Sequence, residues 1–421
     1  MYRFALLVLL ASSWAFGQEN WPQFLGAEQN NHATSTGLPT RWSETENVAW
    51  KTAIPGEGWS SPVIFGKQIW LTTATNEGRS LRAIAVDKDS GAILHNIEVF
   101  APADPGKKND FNSYASPSPV IEPGRVYVCF GAHGSACIDT ASGQIVWKSM
   151  ALKIDHAEGA GSSPVLYKDL YILNCDGTDQ QYVAALKKST GELVWKTPRG
   201  TKFGMTAPLQ RKAFTTPMVI QVKGQAQLIS IGAMRCAAYD PESGKELWFC
   251  TIPGFSNAPQ VVYAEGVLYV TTGHMSAQVW AIRADGAGDV SQTHVLWKYT
   301  KASTLMPTPL LVEGRIYMPM DSGMTRCLDA KTGEQIWQAR FGPAYVASPL
   351  YANGLIYLFS TKGVTSIIKP GAKAEVIAEN PLEGRFMASP AVSGDALFLR
   401  THTHLYRVEE GRRAMNRLNK K

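Results

Sequence analysis

A short motif, Ala-x-Asp-x-x-Thr-Gly-x-x-x-Trp, recurs along the chain and constrains the fold more than any single residue does. With small variations it occupies Cys137–Trp147, Ala185–Trp195, Ala238–Trp248 and Cys327–Trp337, and a weaker copy runs from Ala85 to His95. Asp and Thr side chains hydrogen-bond the backbone of a turn, and Gly adopts a positive φ there without strain. The motif therefore predicts a β-hairpin whose outgoing strand carries a Trp, suited to fill the space between neighbouring repeats.

A second pattern counts the repeats. Each unit begins with a small residue, a Pro and an apolar run, at Ser61-Pro62, Ser118-Pro119, Ser163-Pro164, Thr216-Pro217, Ala258-Pro259, Thr308-Pro309, Ser348-Pro349 and Ser389-Pro390. Pro is tolerated at the first residue of a strand, so each pair marks the start of a new sheet. Eight such units of short strands, without helical periodicity, predict an all-β fold: an eight-bladed β-propeller of four-stranded blades.

The two ends of the repeat region predict how the ring closes. The eighth unit stops after its third strand, near Val408, whereas Val48–Lys51 resembles an outer strand without a blade. We therefore expect the N-terminal strand to complete the last blade, which leaves no open edge. Two blades depart from the pattern: the fifth has an insertion around residues 284–293, and in the seventh Lys369-Pro370-Gly371 replaces the motif.

Three segments lie outside the propeller, which we expect to span residues 48–409. Residues 1–17 combine a basic start, a short apolar stretch and a small-x-small site, and so predict a cleavable signal peptide and a periplasmic or secreted protein. No Cys lies at or near the predicted cleavage site and no later apolar run reaches membrane length, so we expect neither a lipid anchor nor a membrane span. Residues 18–47 should pack across the ring in extended form, and residues 410–421 form a basic tail.

The net charge argues against nucleic-acid binding, and the cysteine content leaves the disulfide state open. Loss of the basic residue in the signal peptide lowers the net charge from +6 to +5, which is too dilute over 421 residues to predict nucleic-acid binding. We expect a monomer. In an exported chain the six cysteines could pair. Cys137 and Cys327 take positions that are Ala in other blades, which favours small buried residues, whereas Cys129 and Cys137 flank one connection and are the best disulfide candidates.

Propeller topology brings two classes of loop to one face, and most of the titratable loop residues fall in those two classes. They are the connections between blades and the loops between second and third strands. We predict a ligand-binding face around the axis, formed by Trp59, His133, His156, Glu158, Asp176, Asp179, Arg235, His274 and Asp321. Each of these residues also has a purely structural interpretation; Asp176-Gly177, for example, can form a tight turn. The sequence contains no nucleophile elbow, phosphate loop or metal-ligand cluster, so we predict neither a catalytic residue nor a metal site.

From Trp50 to about Val408, the Trp-containing repeats resemble those of the pyrroloquinoline quinone (PQQ)-like propeller superfamily. That superfamily includes quinoprotein alcohol dehydrogenases and the propeller lipoprotein of the outer-membrane assembly machine. The resemblance implies either a non-catalytic scaffold that binds a protein segment or small-molecule ligand, or an oxidoreductase that uses PQQ and calcium on alcohols or sugars. Dehydrogenases of the family hold the quinone against a vicinal Cys pair, which this chain lacks. We therefore favour the scaffold and predict no cofactor.

Overall fold

The computed structural model describes residues 19–200, 207–275 and 277–413, so the predicted signal peptide and most of the basic tail lie outside the described residues. Eight sheets surround a central axis and confirm the eight-bladed propeller predicted from the sequence. Strands are numbered in chain order, and within each blade they are given from the axis outward. Short 3-10 helices in the loops span Asn76–Gly78, Gly131–His133 and Pro208–Arg211.

Blades 1 to 3 are regular four-stranded antiparallel sheets. Blade 1 contains β2 to β5, which span Val63–Phe65, Gln68–Thr75, Ser80–Asp87 and Ile93–Phe100. Blade 2 contains β6 to β9, which span Val120–Glu122, Arg125–Cys129, Ser135–Asp139 and Ile145–Ser149. Blade 3 contains β10 to β13, which span Val165–Tyr167, Leu170–Asp176, Gln181–Lys187 and Leu193–Pro198.

Blades 4 and 5 share an irregularity. Blade 4 contains β14 to β17, which span Met218–Val222, Gln225–Gly232, Arg235–Tyr239 and Glu246–Thr251. Blade 5 contains β18, β19, β20 and β22, which span Val262–Ala264, Val267–Thr271, Val279–Arg283 and Val295–Tyr299. The insertion expected in blade 5 forms β21, Gly288–Asp289, which pairs in parallel with β17 and adds a fifth strand to blade 4.

The last three blades close the ring. Blade 6 contains β23 to β26, which span Leu310–Val312, Arg315–Pro319, Met324–Asp329 and Gln335–Arg340. Blade 7 contains β27 to β30, which span Leu350–Ala352, Leu355–Phe359, Val364–Lys369 and Glu375–Pro381. Blade 8 contains β31 to β33 and, outermost, β1, which span Ala391–Ser393, Ala396–Arg400, His404–Arg413 and Glu46–Ala53. The pairing of β1 with β33, in which Val48 lies opposite Val408, confirms closure by the N-terminal strand.

The repeated Trp joins one blade to the next at five of the eight junctions. The indole N–H of Trp147 in blade 2 donates to the carbonyl of Lys188 in blade 3 at 2.9 Å. Its ring covers Gly191, where an added Cβ would approach the ring to 2.6 Å and where φ is +76°. The motif therefore needs Gly both for the turn and for the close approach of the Trp ring. Trp50, Trp195, Trp297 and Trp337 make the same indole-to-carbonyl hydrogen bond to the following blade.

The small residues that precede the first strands form a second ring of contacts around the axis. At six junctions the backbone N–H of such a residue donates to the hydroxyl of its counterpart in the next blade at 2.8 to 3.1 Å: Ser61 to Ser118, Ser118 to Ser163, Ser163 to Thr216, Thr308 to Ser348, Ser348 to Ser389 and Ser389 to Ser61. We call this set of contacts the hydroxyl ring. It fastens neighbouring blades at the axis, as the Trp residues do farther out.

The hydroxyl ring is open at one junction. In blade 5 the strand begins at Val262, so Gln260 holds the ring position and Ala258 lies two residues too early. The N–H of Gln260 donates to the Thr308 hydroxyl at 3.0 Å. No hydrogen bond joins Thr216 to Gln260 in the described part of the chain, and both side-chain amide atoms of Gln260 are buried without a partner. Blades 4 and 5 therefore lack the axial contact.

The N-terminal segment crosses the central channel. Trp21 pairs with Ile64 of β2, and the N–H of Ala33 donates to the carbonyl of Tyr351 in β27 at 2.8 Å. Between them, the side-chain amide of Gln29 donates to the carbonyl of Pro217 beside blade 4 at 3.2 Å. Trp21 and Trp42 are buried in the apolar cluster that blades 7, 8 and 1 share. With further contacts to Ile121 of β6 and Leu311 of β23, the segment ties six blades together and covers the axis.

All six cysteines are buried free thiols. Cys129 and Cys137, the pair that the sequence favoured for a disulfide, are not joined. In the register of β7 and β8, Cys129 lies opposite Ser135 and Cys137 lies opposite Tyr127. Cys137 and Cys327 are buried between blades, in the role expected from their Ala counterparts.

Candidate functional site

A cavity of about 760 Å³ lies on the axis. Phe24 of the N-terminal segment lines it, and so do most members of the hydroxyl ring: Ser61, Ser118, Ser163, Thr216, Ser348 and Ser389. The walls come from the loops between blades and include the aromatic side chains Trp59, Phe111, Phe214 and Phe255. Polar hydroxyl groups and apolar walls are therefore combined in one recess. Binding sites for organic ligands and for peptide side chains have this composition.

Four large apolar side chains of the lining are exposed to solvent. Phe111 is 69% exposed, Leu209 51%, Met275 80% and Met306 36%. They come from four different loops, in sequence positions separated by up to about two hundred residues, and the propeller brings them to one cavity. Exposed apolar side chains that converge in this way mark interaction sites more often than scattered ones do. We call these four residues the apolar rim.

The charged groups of the cavity form a compact pair. Lys212 Nζ lies 2.6 Å from Glu158 Oε2 and donates to the Ser256 hydroxyl at 2.8 Å. The ammonium lies 5.6 Å from the centroid of Phe214 and 5.9 Å from that of Phe255. Lys212 is the only Lys or Arg among the described lining residues. Its charge is balanced by Glu158 and the two aromatic faces, so the described part of the lining presents no uncompensated cation.

Three of the nine predicted site residues line this cavity: Trp59, Glu158 and His274. Trp59 is buried, and the guanidinium of Arg385 lies 5.8 Å from its ring. His274 is exposed and packs edge to face on Phe255 with 5.7 Å between ring centroids. These three side chains come from different blades, so the expected convergence on the axis exists for this subset.

Asp176, Asp179 and Arg235 lie outside the described lining and have partners of their own. Asp176 and Arg199 form an ion pair with both side chains fully buried, at 2.5 Å between Oδ1 and Nε. Asp179 accepts a hydrogen bond from the backbone N–H of Asp155 at 2.8 Å. Arg235 pairs with Glu246 at 2.7 Å, and its guanidinium stacks 3.7 Å from the ring of Phe249. These contacts lie within or between blades 3 and 4.

The remaining three residues, His133, His156 and Asp321, also lie outside the lining. His133 shares a hydrogen bond with the carbonyl of Pro105 at 3.0 Å. His156 packs against Gly131, and both its ring nitrogens are buried without a partner. Burial lowers the pKa of His156 to about 4, so this imidazole is neutral near pH 7. Asp321 is exposed.

The sequence-based selection missed Lys212, Phe214 and the apolar rim. One signal was available for Phe214, which precedes Thr216-Pro217 at the same spacing as Trp59 precedes Ser61-Pro62. No such signal exists for the apolar rim, because the local sequence around a lone Leu or Met in a loop does not indicate whether that residue borders the axis. Only the ring geometry distinguishes Met275 from other exposed apolar residues such as Leu296.

The described lining does not supply the ligands that the calcium ion of a quinone site needs. Calcium in proteins takes about six to eight oxygen ligands, with carboxylates prominent among them. The described lining contains one carboxylate, Glu158, and Lys212 already engages it. In the described ranges, no group of three or more His, Cys, Asp and Glu side chains could hold a metal ion. The described residues likewise contain no helix long and apolar enough to cross a bilayer.

Three solved structures with the same architecture come from two kinds of protein. BamB from Moraxella catarrhalis superimposes with a TM-score of 0.60 at 12% identity, over 86% of this chain and 99% of that chain. Quinohemoprotein alcohol dehydrogenase from Comamonas testosteroni gives a TM-score of 0.65 at 12% identity, over 94% and 81%. A europium-containing methanol dehydrogenase gives a TM-score of 0.55 at 11% identity, over 92% and 90%. At these identities the likeness establishes the fold alone.

Sequence comparison assigns the family. No curated protein matches the chain significantly. The family model described as outer membrane protein assembly factor BamB matches residues 32–151, 132–230 and 179–417, and so covers the whole propeller. With the Trp contacts between blades and the closed ring, this match shows that the chain belongs to the family of PQQ-like propellers described by that model.

Proposed function

We propose that this protein is an exported, non-catalytic binding module whose axial cavity receives an apolar part of a protein segment or of a small-molecule ligand. One observation carries the proposal: the apolar rim, Phe111, Leu209, Met275 and Met306, surrounds a recess with aromatic walls. Export is part of the proposal and rests on the sequence of residues 1–17.

The energetics favour an apolar occupant. Burying apolar surface gains about 25 cal/mol per Å², so covering a few rim side chains offsets a large part of the entropy lost on association. An apolar group that enters the recess leaves the ion pair between Lys212 and Glu158 intact. Within the predicted ligand-binding face, we assign direct ligand contact to Trp59, Glu158 and His274. The other six residues do not line the cavity, so we assign them no direct contact with the ligand.

The relatives support a protein segment as the occupant. The matching family model and the Moraxella structure carry the name of an assembly factor for outer membrane proteins, which is a role that involves contact with other proteins. The cavity residues described above do not fit the quinone and calcium that the alternative function requires. We therefore place the binding module ahead of a PQQ- and calcium-dependent oxidoreductase of alcohols or sugars.

Peptide selection tests the proposal. We expect a phage-displayed library of random peptides, selected on the immobilised protein, to yield binders with large apolar residues. Met275→Asp places a charge on the rim, so the affinity of these peptides should fall at least about tenfold, the equivalent of about 1.4 kcal/mol. Leu296→Asp is the matched control, because Leu296 is 51% exposed on the outer strand of blade 5 and does not line the cavity.

Two results would contradict the binding module. Equal loss of affinity in Met275→Asp and Leu296→Asp would show that the peptides do not bind at the rim. Addition of PQQ and calcium to the purified protein tests the alternative, with bound-cofactor absorbance and dye-linked oxidation of alcohols or sugars as measurements. Stoichiometric PQQ binding with turnover would replace the binding module by the oxidoreductase.

A further inference from the structure

Two of the buried cysteines lie directly opposite each other on neighbouring strands of blade 4. In the antiparallel register of β16 and β17, Cys236 is the partner of Cys250. Both belong to the apolar cluster between blades 4 and 5, together with Ala238 and Trp248, which lie two residues from them on the same strands. The two thiols therefore lie on the same face of the sheet, toward blade 5.

Opposed positions on antiparallel strands lie within the Cα range that a disulfide spans. Directly opposed residues of an antiparallel pair have Cα atoms about 4.5 to 5.5 Å apart, and a disulfide spans Cα separations of about 4.4 to 6.8 Å. The other four cysteines have a different residue as cross-strand partner: Ser135 for Cys129, Tyr127 for Cys137, Tyr182 for Cys175 and Tyr317 for Cys327. Cys236 and Cys250 are thus the one cross-strand pair among the six.

We propose that Cys236 and Cys250 form a disulfide when the chain folds in an oxidising compartment, an inference that rests on the proposed export. One S–S bond forms and two S–H bonds break. The two protons and two electrons pass to a disulfide oxidant, such as oxidised glutathione, which becomes two thiols. Burial strongly raises the pKa of the Cys236 thiol, so the exchange takes place before blades 4 and 5 close over it.

The position of the bond gives it a role at the binding site. Phe255 and Ser256 of the cavity wall follow shortly after Cys250, at the end of β17. β17 also carries β21 from blade 5. This is the junction at which the hydroxyl ring is open, because Thr216 and Gln260 make no contact of that kind. The disulfide fixes β17 to β16 and so supports the cavity wall where the axial contact is missing.

The test uses purified protein refolded in a buffer of reduced and oxidised glutathione, which removes any dependence on export. We expect mass spectrometry of the non-reduced digest to show Cys236 linked to Cys250, with the other four thiols free. Reduction with a phosphine should lower the Tm of the wild type by a few degrees. It should leave the Tm of Cys250→Ala unchanged, whereas Cys137→Ala should keep the full shift as the matched control.

Other outcomes overturn the proposal. Six alkylatable thiols after unfolding without reductant would show that the bond does not form, and a link between any other two cysteines would show that the register does not select the pair. Mass spectrometry of the wild type gives this answer even if a variant fails to fold. Peptide binding is measured separately, so a failure of the proposed function would be visible apart from the state of these thiols.

Discussion

At the scale of single residues, the indole side chains carry much of the adhesion between blades. Trp195 is 9% exposed, covers Gly244 of the next blade and donates to the carbonyl of Pro241 at 3.2 Å. We expect Trp195→Ala to reduce the free energy of unfolding by about 3 to 5 kcal/mol, because a buried ring and a hydrogen bond are both lost. Val194→Ala is the control, since Val194 is half exposed, and should change it by less than about 0.5 kcal/mol. Denaturant unfolding measures both, and equal effects would contradict the docking role.

The ion pair between Asp176 and Arg199 leads to a second prediction at this scale. Both side chains are fully buried, and Arg199 also donates to the Ser230 hydroxyl at 2.7 Å. Asp176→Asn leaves the guanidinium buried without a counter-charge, so unfolding should become easier by about 3 to 5 kcal/mol. Asp179→Asn, at an exposed position, should cost less than about 1 kcal/mol. Thermal unfolding compares the two, and a stable Asp176→Asn protein would show that the pair is not structural.

Trp195 and Asp176 show where prediction from the sequence succeeded and where it did not. The Trp positions were predictable because a local motif specifies both the turn and the strand that carries the ring. Asp176 was assigned to the ligand-binding face because its loop lies on that face, but its side chain pairs with Arg199 in the interior. The direction of a side chain at the end of a strand depends on partners far along the chain, and no local pattern specifies it. The same reason separates Trp59, Glu158 and His274 from the other predicted residues.

At the scale of elements, β1 and the segment before it have separate roles. β1 completes blade 8, whereas residues 21–33 cross the channel and bring Phe24 to the cavity. Deletion of residues up to Lys51 removes both and exposes β33 as an open edge. We expect aggregation, or loss of a single cooperative unfolding transition, in light scattering and calorimetry. Deletion of residues 1–17 is the control. A monomeric truncated protein with unchanged melting would contradict closure by β1.

At the scale of the whole molecule, two concentric sets of contacts hold the ring together, the Trp residues outside and the hydroxyl ring at the axis. The sequence marks the small residue before each Pro as the start of a strand. The hydrogen bonds that these residues make around the axis, the hydroxyl ring, were not predicted. Its function depends on a hydrogen bond from one blade to the next, which a sequence does not show. The small-residue-Pro pattern also misplaces the ring position of blade 5, because Ala258-Pro259 lies two residues too early relative to the first strand of that blade.

The open junction between blades 4 and 5 predicts a stabilising substitution. The buried amide of Gln260 has no partner, and the ring pattern requires a hydroxyl there to accept the N–H of Thr216. Gln260→Ser supplies that hydroxyl and removes the unsatisfied amide, so we expect the free energy of unfolding to rise by about 1 kcal/mol. Gln260→Ala is the matched control: it removes the amide without restoring the acceptor, and the difference between the two variants measures the hydrogen bond. If Gln260→Ser is no more stable than Gln260→Ala, closing the ring contributes nothing to stability, and the apolar packing around Trp248 with the pairing of β21 and β17 suffices at this junction.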